Sequence, residues 1–431
     1  MKKVLFISYY WPPAGGPPIN RIFNFYKYLP EFGWEPVILT VGTGTFPFFD
    51  PSLLKYVRPE TKIYTSKNIR IPFSTGQSKV SVPYGFTDAS NKSFKNKILR
   101  FVKYNLIPDP RIIWLPFALK KAVEIIKKED IQLIFSSSPP QTNHIIASIA
   151  SRRTNRPWVG DLRDPWSDVF WLKEQKLRLG CIHALDKKIE LNTLQRMTEI
   201  VSVSPSLVTL LGAKAKRPVH LVYNGFDPNL YKNADAASGN GGFNILYAGS
   251  ISSDQRPETF FDALNLIKEN HPEIFQEIEV EFLGSFPEFL YTIIAEKGLA
   301  DKVKFTNFLP MEEAVGKMQS AALLLLINQR VDGEMGLSSK IFDYLGSRRP
   351  VIAFGQVKSH ADLLLQDTGA GKLFNHGDVE NAYRFILDVF HKKFMIGEEN
   401  KAKISKYNRR DQTRHLAQIF DKAINKHQNE K

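Results

Sequence analysis

The sequence predicts an α/β protein built from two parallel-sheet domains, and three observations carry that prediction. The stretch "KVLFISYYWPPAGG" leads into helix-spaced apolar residues and then "GWEPVILTV", a strand, loop, helix, strand opening. A second alternation of the same kind begins at "FNILYAGS" (Phe243–Ser250). Between the two series, "NADAASGNGG" (Asn233–Gly242) is small, polar and glycine-rich, as a linker is. Successive βα units make parallel sheets with helices on their faces. The expected division is residues 1–232 for the first domain, 233–243 for the linker, 244–404 for the second domain and 405–431 for a closing helix.

Each element follows in order. Val4 to Tyr9 is an apolar run of β-formers, "WPPAGG" is a loop, and Ile22, Phe23, Phe25, Tyr26 and Leu29 recur at helical spacing. From Thr43 to about Pro116 the pattern weakens. The exception is "KSFKNKILRFVKYN", where Phe94, Ile98, Phe101 and Val102 share one helical face and lysines with Arg100 take most of the other. "ALKKAVEIIKK" then reads as a helix, "IQLIFSSSP" as a strand, "TNHIIASIASRR" as a helix and "PWVGDLRD" as a strand. "EIVSVSPSLVTLL" and "VHLVYNGFD" continue the alternation. In the second domain, helices at Thr259–Glu269, Glu288–Lys297 and around Glu312–Met318 alternate with "EIEVEFLGS", "VKFTNFLP" and "ALLLLIN". "DGEMGLSSKIFDYLGSRRPVIAFG" and "GKLF" follow, and "RRDQTRHLAQIFDKAI" closes the chain as a basic amphipathic helix.

Composition narrows the function classes. Across 431 residues, 43% are hydrophobic and 24% charged, the balance of a folded protein of enzyme size. A net charge of +14 favours polyanionic partners: nucleic acid, an anionic membrane or a phosphorylated ligand. The single cysteine, Cys181, excludes an internal disulfide framework and a cysteine-built metal site and suits a reducing cytosol. The "MKKVLFISYYWPP" start lacks a small-residue cleavage site and is expected to be a buried strand. No apolar run is long enough to span a bilayer, so membrane contact is expected to be peripheral.

The chemistry-bearing residues gather at expected strand ends. In "DGEMGLSSKIFDYLGSRRPVIAFG", Ser338 is the expected N-cap and Gly346 the C′ residue, with Ile341, Phe342 and Leu345 inward and Lys340 and Asp343 on the other side. A helix N-terminus with Lys340 suits a phosphate, and a carboxylate can accept two sugar hydroxyls; an i,i+3 ion pair is the alternative. "PPAGGPP" holds Gly15 and Gly16 before a helix, either a phosphate-facing loop or a plain turn. It lacks the G-x-G-x-x-G spacing, and no acid ends the next strand, which excludes the dinucleotide fingerprint. "YAGSISSDQRPE" places Gly249, Ser250 and Arg256 at a further strand end, where Arg256 and Lys340 together can neutralise a diphosphate. "GDLRDPWSD" brings Asp161, Arg163 and Asp164 together; the arginine offsets the charge a metal would need, leaving sugar recognition or an internal ion pair. His144 is a ligand contact or a structural histidine. Serine-elbow, zinc-protease and P-loop signatures are absent, and basic clusters stand outside any nucleic-acid module. The "KSFKNKILRFVKY" helix suits an anionic interface or a core-packed surface.

Taken in order, these segments resemble the family 4 glycosyltransferases, retaining enzymes of the GT-B fold, in their bacterial surface-polysaccharide branch. The match runs through "FISYYWPPAGGPPINRIFNFYKYL", "PWVGDLRDPW", "VSVSPSL", "VYNGFD", "LYAGSIS" and "SSKIFDYLGSRRPVIA". The resemblance implies two Rossmann-like domains facing across a cleft, with the last helix crossing back to the first. It implies a donor site at Gly249, Ser250, Arg256, Ser339, Lys340 and Asp343, with Asn307, Phe308 and Leu309 beside the base. Arg256, Lys340 and Glu334 carry the catalytic expectation; the loop before Lys340 is longer than the family's usual spacing, and Asp343 stands where the family has a glutamate. Gly15, Gly16, His144, Asp161 and Arg163 fall on the acceptor side. No metal or other cofactor is implied. The function expected is transfer of a hexose from a nucleotide-sugar donor to a growing glycan, a lipid-linked precursor of a bacterial surface polysaccharide. The partners expected are that donor, that acceptor and an anionic membrane surface, with no nucleic acid. The place is the cytoplasm, at the inner face of the plasma membrane. A sugar-nucleotide epimerase of the same shape and a non-catalytic glycan- or lipid-binding scaffold are the alternatives.

Overall fold

The computed structural model describes residues 1–42, 49–68, 101–102, 104–169, 178–231, 242–252, 254–328 and 337–429. It divides into two units, Met1–Tyr223 with Gln412–Lys431, and Asn224–Asp411. The chain thus changes unit at Tyr223/Asn224, ahead of the expected 233–243 linker; residues 232–241 lie outside the described ones. The reason is visible at Phe226, whose ring occupies the space beside Gly346 and whose backbone bridges to Asn408, all within the second unit.

The first unit holds seven parallel strands, β1 (Lys2–Ile7), β2 (Trp34–Val41), β3 (Ile63–Ser66), β4 (Leu133–Ser138), β5 (Trp158–Leu162), β6 (Glu199–Ser202) and β7 (His220–Leu221). Their order is β3-β2-β1-β4-β5-β6-β7. Alternate residues point to opposite faces of a strand. Accordingly Leu5 and Ile7 of β1 join one core with Ala118, Ile125 and Ile146 from the helices Leu115–Lys128 and Thr142–Thr154. Val4 and Phe6 join the other with Ile22, Tyr26 and the last helix, Arg409–Asn429. Both faces are covered, which is why β1 reads as a continuous apolar run. Phe420 of the last helix lies 5.3 Å from Trp34 and 5.4 Å from Phe135, ring centre to ring centre. The chain order reverses between β1 and β4, so the loops after these two strands are neighbours, and such a switch point is where open α/β sheets bind ligands.

The second unit repeats the plan with six parallel strands, β8 (Phe243–Ala248), β9 (Ile278–Leu283), β10 (Val303–Thr306), β11 (Leu323–Ile327), β12 (Val351–Phe354) and β13 (Gly371–Phe374), ordered β10-β9-β8-β11-β12-β13. Its switch point lies between β8 and β11. The loop after β8 carries Gly249 to Arg256, and the helix Lys340–Ser347 is the next described element after β11.

The sequence reading missed β3 and the helices Gly180–Arg196, His360–Thr368, Val379–Phe390 and Glu398–Ser405. Most of the "KSFKNKILRFVKYN" segment, including Lys95, Lys97 and Arg100, lies outside the described residues. No described helix is long and apolar enough to cross a membrane.

Candidate functional site

The donor-side residues of the second unit are assembled by close backbone approach. Gly249 ends β8 with φ 125°, donates its N–H to the Leu283 carbonyl at 2.8 Å, and leaves no room for a side chain because the Lys340 stem lies against it. A Cβ on Gly284, which follows β9, would stand 2.6 Å from the Gly249 carbonyl oxygen. Two strand ends therefore meet where only glycine fits. Over this floor the Lys340 ammonium donates to the Ser250 carbonyl at 2.9 Å and to the Tyr247 hydroxyl, and sits 4.5 Å from the centre of the Tyr247 ring. The Tyr247 hydroxyl donates to the same Ser250 carbonyl at 3.0 Å.

Burial pulls the Lys340 pKa down to about 7. Among the described residues no carboxylate stands within ion-pair distance of it. The i,i+3 pair with Asp343 is not made. Asp343 turns instead to the Tyr231 hydroxyl at 3.4 Å and to Arg409, 3.9 Å away, and burial pushes its carboxyl up against the pull of that guanidinium.

Tyr344 locks the helix over the switch point. Its hydroxyl accepts the Ala248 N–H at 2.9 Å and donates to the Leu325 carbonyl at 3.1 Å, tying the helix to β8 and β11 together. Neither Tyr344 nor Tyr247 was picked out from sequence; the available signal was a tyrosine at a strand end and another among inward helix positions.

Both expected caps move. The helix begins at Lys340 with Ser339, not Ser338, at the N-cap and without a side-chain cap, and Arg348, at φ 55°, takes the left-handed position expected of Gly346. Gly346 is needed for packing: a Cβ there would meet Phe226 at 2.8 Å. Gly346→Val is expected to cost about 1–3 kcal/mol of stability through overpacking, read as a lower urea midpoint with an unchanged slope.

Arg256 precedes the helix Glu258–Asn270, and its side chain is already engaged, with Nη2 2.7 Å from Glu258 Oε1 and the guanidinium 5.0 Å over the Phe289 ring. It differs from Lys340 in having its own counter-charge. Asn307, Phe308 and Leu309 follow β10, two strands from β8, with Phe308 66% exposed. Glu334 lies outside the described residues.

In the first unit the acceptor-side residues are mostly interior. Gly15 has no room for a side chain because Asp50 lies 2.6 Å from where a Cβ would stand, and Gly16, at φ 75°, precedes the helix Pro17–Tyr28. Prolines at the first two helical positions have no N–H, and Ile19 and Asn20 donate to the Gly16 carbonyl. The helix itself thus offers an anion its dipole rather than amide donors.

His144 is fully buried, its Nδ1 2.8 Å from Ser136 Oγ and its ring stacked on Trp166, and burial pulls its pKa to about 3, so it is neutral at physiological pH. Asp161 is fully buried in the fork of Arg21, whose Nε and Nη2 donate to it at 3.0 and 2.8 Å, and it accepts from Ser137 Oγ at 2.7 Å. Of the two readings of this carboxylate, the internal ion pair is the one formed. Arg163 fastens the turn after β4 by donating to the carbonyls of Ser138 at 2.8 Å and Pro139 at 3.1 Å. Among the described residues no three histidine, cysteine or carboxylate side chains are placed to hold a metal.

Residues 20–230 match the sequence profile described as Glycosyltransferase Family 4. No curated protein sequence matches the chain. Among solved structures, HepE from Anabaena in complex with UDP superposes with a TM-score of 0.65 at 15% identity, covering 98% of this chain and all of that one. Sucrose-phosphate synthase from Thermosynechococcus elongatus gives 0.63 at 14% identity over 98% of this chain and 99% of the other. The lipopolysaccharide outer core galactosyltransferase WaaB gives 0.57 at 13% identity over 97% and 99%. Residues 20–230 thus match Glycosyltransferase Family 4, and the pair of parallel-sheet units has the fold of the solved GT-B glycosyltransferases.

Proposed function

We propose that the chain is a retaining glycosyltransferase that moves a hexosyl group from a nucleotide sugar, bound by residues 224–411, onto a growing glycan. The acceptor is a lipid-linked precursor of a bacterial surface polysaccharide at the inner face of the plasma membrane. The observation that carries the donor reading is Lys340, a half-buried ammonium held only by neutral oxygens among the described residues. A diphosphate against Ser250 and the start of the Lys340–Ser347 helix supplies the missing counter-charge, and its binding restores the ammonium's proton affinity.

Asp343, one turn along the same helix, is the carboxylate we assign to the ribose hydroxyls. As the sugar–phosphate bond breaks, charge grows on the departing nucleoside diphosphate. Lys340 stabilises that charge directly, and Arg256 does so by turning from Glu258. With these cations in place the reaction is proposed to proceed without a metal. On the retaining route a phosphate oxygen of the leaving group takes the acceptor's proton on the same face, so no side-chain base is assigned. The neighbours' ligands, UDP and UDP-glucose, support a uridine diphosphate sugar as the donor class. The lipopolysaccharide galactosyltransferase supports a surface-glycan acceptor.

The test is a thermal-shift screen of UDP, GDP, ADP, CMP and nicotinamide dinucleotides with EDTA present. A ligand at a hundred times its Kd adds about 2.7 kcal/mol of stability. A selective shift with UDP is expected; no shift with any nucleoside diphosphate sinks the donor reading. Release of an altered sugar nucleotide without acceptor would replace the transferase with an epimerase.

A further inference from the structure

The helix Gly180–Arg196 is turned inside out relative to an ordinary surface helix. Its two carboxylates point inward: Asp186 is fully buried, 2.7 Å from Arg178 Nη1 and 3.0 Å from Trp166 Nε1, and Glu190, 2% exposed, lies 2.7 Å from Lys214 Nζ. Two of its three leucines point outward, Leu185 48% and Leu191 40% exposed, while Leu194 is buried in the core. With 3.6 residues per turn, Leu185 and Leu191 fall on the same half of the helix as the exposed cations Lys187, Lys188 and Arg196. Asp186 and Glu190 are the only acids in this helix, so its outer face is apolar and cationic with no carboxylate.

The apolar surface continues past the helix start. The Leu179 N–H donates to Asn105 Oδ1 at 3.0 Å, and Leu179, Phe101 and Val102 are 47%, 45% and 39% exposed around that junction.

We propose that this face is the surface by which the protein lies on an anionic lipid bilayer, with its leucines and Phe101 in the interface and its cations among the headgroups. Interfacial helices combine these two features. Charge argues for lipid over protein: the core of a protein interface is depleted in lysine, and a second copy of this face would set like charges against each other. The inference deepens the membrane part of the proposed function and is independent of the donor site.

Cys181, exposed on the same outer face and the chain's one cysteine, supplies the probe. Labelled with a polarity-sensitive fluorophore, the full chain is expected to show a blue shift and to float with vesicles rich in phosphatidylglycerol, and to do neither with phosphatidylcholine alone. Leu185→Glu with Leu191→Glu, and separately Lys187→Glu with Lys188→Glu, should each weaken vesicle binding at least about tenfold. Unchanged melting temperatures of both variants without ligand would show that they fold. An absent blue shift with anionic vesicles, variants that bind as tightly as the parent, or a lipid-free dimer that the same variants dissociate would each overturn the proposal. Vesicle binding without any UDP-induced thermal shift would leave this surface standing and remove the donor reading alone.

Discussion

Lys340→Met is expected to weaken donor binding and, in the same protein, to raise the melting temperature of the unliganded chain. The two effects share one cause. The ammonium is half-buried with no carboxylate partner among the described residues, and its pKa falls from the ordinary value near 10.5 to about 7. Between those values the unfolded chain holds a proton that the folded chain does not, so stability rises with pH from about 7 to about 10.5. Well below pH 7 the lysine is protonated in both states, and the full burial penalty applies. Methionine has similar length and no charge, so it removes the penalty and flattens that pH dependence.

A bound diphosphate reverses the balance, because it favours the charged form. Above pH 7 binding then takes up a proton, and wild-type affinity for UDP should weaken by up to tenfold per pH unit, while Lys340→Met shows no such slope. Loss of this one cation should lower turnover by about 10²–10³-fold, the range for a donor aimed at developing negative charge. Calorimetry in buffers of different ionisation enthalpy measures the proton directly. No proton uptake by the wild type at pH 8 would show that Lys340 does not meet the phosphates.

Asp161→Ala is expected to cost about 3–5 kcal/mol of stability, because it removes the carboxylate around which the buried Arg21 guanidinium is forked. Arg21 is 4% exposed, and it also donates to the Tyr223 carbonyl at 3.1 Å, so its displacement would reach the end of β7. Urea denaturation measures the loss. The double change Arg21→Met with Asp161→Ala should cost less than the sum of the singles, since both singles break the same ion pair. A stable Asp161→Ala with a raised KM for acceptor would assign the carboxylate to substrate instead.

The strands of both sheets were legible because they are buried on two faces and read as apolar runs; β11, "LLLLI", is fully buried along its length. β3 was not: it is a four-residue edge strand with only Ser66 buried, and it falls in the stretch from Thr43 to about Pro116 where no alternation frames it. β10, equally short and exposed, is framed by helices on both sides. The helix Gly180–Arg196 was hidden for a different reason: its carboxylates face in beside Leu194 while Leu185 and Leu191 face out, so no apolar stripe marks a side. At the proposed donor site, the sequence picks out Lys340, Gly249 and Ser250 by strand-end position, and the structure brings the three together. Tyr344 was not legible, since a tyrosine whose hydroxyl bridges two strands resembles any inward aromatic until the strand order is known. Arg21 stands 140 positions from Asp161, a distance across which no spacing rule reaches. Gly346 shows a local rule losing to tertiary contact, because Phe226 needs its missing side chain more than the helix end needs a left-handed glycine.

The last helix has a consequence for how the protein is made. The face of the first sheet that bears Trp34 and Phe135 is closed by Phe420, which emerges from the ribosome about 190 residues after the rest of that unit ends. At roughly 5–20 residues per second, translation leaves that face covered by the helix Pro17–Tyr28 alone for roughly 10–40 seconds in every nascent chain. The first half of the gene product therefore waits in a state that chaperones can bind. A premature stop anywhere in the second half would leave that aromatic face open to aggregation even though the seven strands are complete.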